Sequence, residues 1–363
     1  MTALHGSATQ SSQEEELALV ARFPRMRALA WSQDYLYASR AYQLLRAQIS
    51  QEHPPSNHMP WQPVASFRPA WWRNASAATR LGSRLFRNGF HALAILPSGG
   101  IVGAVPGAIV TLRPGETEFR ATHAITRGTR PLHIASVPDG TVYWGEYFDN
   151  ATRDEVHIYA STDGGLTWNV AYTFPQRAIR HVHNIVYDAW GACLWVLTGD
   201  YGDECRILRA SSDFRNVDVV LQGNQQARAV ALVPAQDGLY FASDTPLEAN
   251  FIYHMDRQGA LRKLASVTSS SIYGCRAGDG IFFSTMVEPS RANTDSHVRI
   301  YGSRNGEDFR PLLAWQKDRW PLRFFQYGNA FLPDGENSTN CLAVSPVAVE
   351  QDDQVTLLYS LRT

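Results

Sequence analysis

The sequence is short of charge. Asp, Glu, Lys and Arg make up 18% of its 363 residues, and 33 basic side chains nearly cancel 34 acidic ones, for a net charge of −1. A chain so balanced lacks the basic field that draws proteins onto nucleic acid or anionic membrane, so neither is expected as a partner. Long apolar runs are also missing: nothing approaches the ~20 residues a membrane-spanning helix needs. The stretch from Met1 to Glu16 is polar and ends in the acidic run Glu14, Glu15 and Glu16. It has neither the basic nor the apolar region of a secretory signal, which predicts a cytoplasmic protein with a flexible segment over 1–16. Cysteine is scarce. Cys193, Cys205, Cys275 and Cys341 are scattered without CxxC or zinc-like spacing, so four separate thiols are expected rather than a disulfide scaffold. No GxSxG, P-loop, Rossmann glycine fingerprint or HExxH is present.

What the chain does have is aromatic and apolar material: 11% aromatics, ten Trp among them, and 44% hydrophobic residues, enough for a large core. The length allows two or three ordinary domains or one large closed architecture. Helical periodicity is nearly absent after residue 50. A different unit recurs: an apolar alternating run, a Pro or Asp-Gly turn, then a strand rich in Tyr, Trp, Phe and Val. Copies begin at Arg27, His91, His133, His183, Arg228, Tyr273 and Tyr327, with spacings of 64, 42, 50, 45, 45 and 54 residues. That is about the period of a four-stranded propeller blade, whose two open faces are buried only by ring closure. The expectation is an all-β chain, 1–363, forming a single seven-bladed β-propeller with long loops at 46–62 and 68–89. The last copy supplies only three strands, ending in QVTLLYSLRT, so Leu17–Phe23 is expected to close the last blade as its outer strand.

One local motif supports the same fold. Ser161 to Trp168 reads S-T-D-G-G-L-T-W. In such a turn the Asp163 carboxylate collects amide hydrogen bonds, glycine supplies positive φ, and Trp168 packs beneath. Shorter or degenerate copies stand at Ser303–Phe309 and Ser211–Phe214. Asp163 is thereby a turn residue and not a catalyst.

In a propeller the inner strand runs down the channel and the second strand returns, so inner-strand starts and second-strand ends meet on one face. Arg27, His91, His133, His183, Arg228, Tyr273 and Tyr327 occupy the starts, and Arg40, Glu146, Asp200 and Asp244 the ends. Sheet stability asks for none of these residue types there. His91, His133 and His183, with His181 close to the last, are candidate ligands for a divalent metal such as Mn, Zn or Fe. Alternatively the imidazoles share acid/base work with Tyr273 or Tyr327 while Arg27 or Arg228 holds a carboxylate. Glu146 or Asp200 would orient the imidazoles. Trp71-Trp72-Arg73, in the connection from Arg68 to Gly89, is either a lid whose Trp72 stacks on a sugar or a cover for blade hydrophobics.

The Ser161–Trp168 box and the blade repeat resemble the sialidase-like Asp-box (BNR) β-propellers, over about Arg25 to Thr363. Sialidases carry an arginine-containing motif near the N-terminus, and Phe23-Pro24-Arg25 is not that motif. In residue types the His/Tyr/Arg mouth is more similar to propeller polysaccharide lyases. There a metal or cationic side chain neutralises a uronate carboxylate and a His or Tyr takes a proton. This resemblance implies a lyase on uronate-containing oligosaccharide or polysaccharide. The alternatives are a glycoside hydrolase, for which Glu146, Asp200 and Asp244 offer the carboxylates, and a non-catalytic scaffold that binds a glycan or protein partner.

Overall fold

The alternating apolar runs pair as antiparallel ladders in a computed structural model that describes residues 16–362. Seven sheets follow one another around a channel. Their inner strands are Arg27–Gln33, Ala92–Ile95, Ala135–Ser136, Val182–Asp188, Ala229–Ala235, Ser271–Ala277 and Asn329–Phe331, here blades 1 to 7. Each begins within two residues of the start predicted from the repeat. Most of the core lies between adjacent sheets. Tyr143, Val156, Ile158, Val182, Leu194 and Phe214, for example, join blades 3 and 4 in one buried cluster. The chain is a seven-bladed β-propeller, and among the described residues no helix is long and apolar enough to cross a membrane. Residues 1–15, and with them most of the segment expected to be flexible, lie outside the described residues.

Ring closure follows the expectation. Leu17–Pro24 runs antiparallel to Val355–Leu361, and Leu17, Ala21 and Phe23 turn their side chains inward. The outer strand of blade 7 therefore comes from the beginning of the chain. Closing the ring non-covalently in this way removes the exposed edges that an open sheet would leave.

Two segments depart from the repeat. The Pro-Asp-Gly of the last copy was expected to be a tight turn. Instead Asp334–Asn337 forms a fifth strand of blade 1, parallel to Arg27–Gln33, with Ala30 opposite Asp334 and Trp31 opposite Gly335. It lies inside the channel against the inner strands of blades 1, 2 and 6. Gly335 permits this: its φ is +89°, and a Cβ there would sit 2.2 Å from the Trp31 carbonyl oxygen. The second departure is the 68–89 connection, expected to be a loop. It holds two short helices, α1 (Trp71–Ala77) and α2 (Arg80–Phe86). Its anchor is Arg84, fully buried, 2.6 Å from Asp318 and 3.5 Å from Asp353, with its guanidinium 4.5 Å from the Trp320 ring centre. Arg80 adds a 2.6 Å pair to Asp353. The helices are thus pinned across the mouth face to the loops of blade 7. Neither the hydrophobic-cover reading nor the sugar-lid reading predicted a buried arginine as the clasp.

The Ser161–Trp168 hairpin closes at the opposite end of its blade. Asp163 Oδ1 accepts from the amides of Leu166 (3.0 Å) and Thr167 (2.9 Å), and Oδ2 accepts from Thr167 Oγ1 (2.6 Å). Burial works to raise this carboxyl, but those hydrogen bonds outweigh it and hold it at about 2. Trp168 Nε1 donates to Thr122 of blade 2 (3.3 Å), so the turn also ties neighbouring blades together. Asn305 does the work of Asp163 in blade 6, accepting from the amides of Glu307 and Asp308 at 2.9 Å each.

Candidate functional site at the channel mouth

His181 and His183 flank the first residue of the blade 4 inner strand. Two residues apart in extended chain, they project to one side. Each Nδ1 lies 3.0 Å from a backbone carbonyl oxygen, that of Phe148 for His181 and that of Ala229 for His183. A neutral imidazole has one N–H, and these carbonyls claim it at Nδ1, which leaves both Nε2 atoms as acceptors. The Nε2 atoms nevertheless face one another at 3.1 Å. Asp200, just past the end of the second strand, completes the group, with its carboxylate oxygens 3.4 Å from His183 Nε2 and 3.7 Å from His181 Nε2. Two imidazole nitrogens and a carboxylate converging in this way could hold a metal ion.

The donor chemistry fits a divalent metal. Two nitrogens bound at ~2.0–2.1 Å with an angle between 90° and tetrahedral stand roughly 2.8–3.4 Å apart, which brackets the observed separation. Two imidazoles and a carboxylate suit Zn, Fe or Mn. Among the described residues, His181, His183 and Asp200 form the one His/Cys/Asp/Glu group whose ligand atoms all lie within 4.8 Å of one another, and all three are buried.

Around this group the arginines and aspartates pair with one another. Arg180 and Arg228 stand 3.0 Å and 3.2 Å from Asp200, and Arg228 lies 3.5 Å from Asp244. Burial opposes ionisation of Asp200, but the adjacent His181 and His183 rings, which donate to it when protonated at Nε2, outweigh burial and hold the carboxyl well below its usual range. Burial lowers His183, which is therefore neutral at pH 7. Asp244 behaves in the opposite way: burial pushes it up to about 7 against the pull of Arg228. Burial also raises Glu288, which accepts from Ser270 Oγ at 3.3 Å. The Tyr147 ring packs 4.3 Å from that of His181.

The predicted trio does not converge. His183 joins His181 and Asp200, whereas His91 and His133 sit on the other side of the mouth with different partners. His91 Nδ1 is 3.3 Å from Arg27 Nη1, and His133 Nδ1 is 3.0 Å from Asp334. Two groups occupy this side of the mouth: the Asp334 carboxylate, brought by the inserted strand to His133, and the Phe331 ring, from the last residue of the blade 7 inner strand, 6.3 Å from the His91 ring. Arg27 lies 3.5 Å over Phe331, and Tyr273 packs on Phe331 and His133 with ring centres 5.0 Å and 5.7 Å apart.

The remaining predicted residues divide. Asp200, Arg228 and Asp244 belong to the histidine group. Arg228 is held between two carboxylates, so it is not a free carboxylate binder. Glu146 does not orient an imidazole: it accepts from Arg127 (2.9 Å) and from the His157 amide (2.8 Å). Tyr273 is buried, and burial pushes its hydroxyl up to about 12, which makes it a poor proton acceptor near neutrality. Tyr327 is 41% exposed and precedes its strand. Arg40 is exposed at its strand end. Trp72 packs edge-on against Phe86 at 5.5 Å within the helix pair, with the Arg73 guanidinium 4.5 Å from its ring centre. Sequence reasoning missed Arg87, Arg130 and Arg180. A signal was present: in three consecutive blades an arginine stands three or four residues before the inner-strand histidine, in the pairs Arg87/His91, Arg130/His133 and Arg180/His183.

No family model matches the chain, and no curated protein does. Solved structures match in fold. A catalytically inactive virginiamycin B lyase from Staphylococcus aureus, with quinupristin, is 10% identical with a TM-score of 0.59, covering 96% of this chain and 97% of that one. The WD40 propeller domain of Doa1 is 12% identical with a TM-score of 0.55 over the same shares. A chain of the mitotic checkpoint complex is 9% identical with a TM-score of 0.55, covering 99% of both. At such identities the likeness is one of fold: the protein shares the propeller architecture with enzymes and with protein-binding modules alike.

Proposed function

We propose that this propeller is a metal-dependent, carbohydrate-active enzyme, a lyase acting on uronate-containing oligosaccharide. The observation that carries the reading is the convergence of two buried histidine Nε2 atoms and Asp200, with both Nδ1 atoms committed to backbone carbonyls. His181, His183 and Asp200 would hold the metal, which as a Lewis acid polarises a carboxylate or carbonyl oxygen. Elimination then needs a base for the proton on the carbon next to the carboxylate. That electron pair forms the new double bond, the neighbouring carbon–oxygen bond breaks, and the leaving oxygen takes up a proton. Asp244 and Glu288 suit the proton transfers better than the tyrosines, because burial brings these carboxyls toward neutrality. A lyase is among the proteins of similar fold.

The test is metal content of the purified protein together with assay on acidic oligosaccharides. Stoichiometric metal and an ultraviolet-absorbing unsaturated product support the reading. New reducing ends without unsaturation would replace the lyase by a glycoside hydrolase. Absence of both, together with a stoichiometric protein or glycan partner, would replace the enzyme by a scaffold.

A further inference from the structure

The starts of blades 1 to 3 bring basic groups together without matching acids. Arg27 opens the blade 1 inner strand. Arg87 ends α2 as its left-handed cap residue, with φ +49°. His91 precedes the blade 2 inner strand, and Arg130 precedes His133 at blade 3. Among the described residues Asp334 is the carboxylate paired with this group, and it is already engaged 3.0 Å from His133. Arg27 spends its guanidinium on the carbonyl oxygens of His91 (3.1 Å) and Phe90 (3.5 Å) and on the His91 ring. Neither the Arg87 nor the Arg130 side chain has a hydrogen-bond or ion-pair partner among the described residues. Four buried nitrogens in the group are also unpartnered: Arg27 Nε, His91 Nε2, Arg130 Nε and His133 Nε2. His133 is more than nine-tenths buried, so its idle ring nitrogen is a cost that nothing on the chain offsets.

The electrostatics agree with the geometry. Burial, and after it the charges of Arg130 and Arg27, drive His91 well below the usual imidazole range. Burial, with Arg27 and Arg87 close by, pushes Arg130 down to about 10. Arg27 and Arg130 are half-buried and Arg87 is exposed at the rim; cations crowded in this way cost stability unless an anion lies among them. We propose that Arg27, Arg87, Arg130 and His91 form an anion-binding site at the channel mouth, across from the histidine–aspartate group, for a carboxylate or other oxyanion of the ligand. Guanidinium forks match planar carboxylate and tetrahedral oxyanion alike, so the shared chemistry is a compact oxyanion. The inference stands apart from the metal and from the lyase chemistry, since it concerns binding alone.

The experiment is calorimetric titration and thermal melting of the full chain with three probes: inorganic phosphate, trigalacturonate and a neutral trisaccharide. The variants are Arg130→Gln and Arg87→Gln. The expected result is saturable binding of an anionic probe and none of the neutral one, with affinity falling as salt rises. Each variant should weaken binding roughly tenfold or more, the worth of a lost charge-assisted contact. Arg130→Gln should also leave the ligand-free melting temperature unchanged or raised, because it relieves crowding and breaks no protein contact. A structural arginine would lower it, and that outcome overturns the assignment. Phosphate binding without trigalacturonate binding supports the oxyanion site while removing the uronate from the proposed function. Binding of no anion, or undiminished binding by both variants, overturns the site.

Discussion

The two halves of the channel mouth are built from the same residue types with opposite accounting. Beside blades 4 to 6, each buried charge meets an opposite one: Asp200 between Arg180 and Arg228, Asp244 against Arg228, and two histidines on Asp200. Beside blades 1 to 3, Arg27, Arg87 and Arg130 gather around His91 with Asp334 as the nearby acid. The first half is held by its own charges. The second is under strain until something negative arrives. A fold that keeps uncompensated cations where loops are free to vary is giving up stability at that place, which is how ligand sites differ from clasps.

The largest expected effect comes from breaking the compensated half. Asp200→Ala leaves Arg180, Arg228 and two histidines without their shared carboxylate. A loss of about 3–5 kcal/mol is expected in denaturant unfolding, the range for removing one member of a buried charge network, along with loss of metal uptake. His183→Ala should abolish metal uptake at a smaller stability cost, since the arginine pairs survive. If Asp200→Ala costs no more than an exposed pair, under about 1 kcal/mol, water already solvates this half and the contrast between the halves fails.

Next in size is the clasp that positions Arg87. Arg84→Met keeps the stacking volume over Trp320 but removes the buried cation shared by Asp318 and Asp353, leaving them Lys317 and Arg80 respectively. About 3 kcal/mol of local stability should go, visible as protease cleavage within α1 and α2 before global unfolding. Anion affinity should fall with it, because α2 carries Arg87 at its end. Cleavage resistance equal to wild type would show that the helices do not depend on this ion pair. Asp163→Ala, at the far end of blade 3, is the control for both halves. It removes acceptors for two amides and should cost about 1–3 kcal/mol in melting experiments, with metal and anion binding unchanged.

How much of this could be read in the chain differs between fold and site. The blade starts, the turn at Ser161–Trp168 and the closing strand Leu17–Pro24 were legible because each rests on local pattern: period-two alternation, turn chemistry and an unpaired last blade. The polar ring at the mouth was legible as a ring. Which members face one another was not, since that is decided by residues distant in sequence. Asp334 reaches His133 across 201 positions and only because Asp334–Asn337, a segment with the composition of a turn, becomes a strand inside the channel. Arg84 was equally hidden: an arginine in a polar connection reads as solvated, and its burial depends on Asp318 and Asp353 from blades 6 and 7. The recurring arginine ahead of each histidine was on the page but acquires meaning only once two of the three prove unpaired.

The finest test separates two carboxylates within the compensated half. Asp200 has a depressed folded pKa, so its stabilisation is present at neutral pH and fades in acid as the pH falls toward that value. Asp244 has the opposite sign. Its folded pKa, raised to about 7 by burial, lies above the ~3.9 of an unfolded aspartate. The folded state therefore holds a proton that the unfolded state has lost. Stability linked to this group is full below about pH 4, declines as the pH climbs, and is gone once the pH passes 7. Between pH 6 and 8 the loss should be on the order of 1 kcal/mol. Asp244→Asn keeps the shape, cannot ionise, and should flatten this part of the profile in denaturant melts at a series of pH values. The Asp163→Ala profile should keep the wild-type slope over that range, because Asp163, held at about 2, has finished titrating long before. An Asp244→Asn profile parallel to wild type from pH 6 to 8 would mean that Arg228 already keeps Asp244 ionised. The proton transfers would then fall to Glu288 alone.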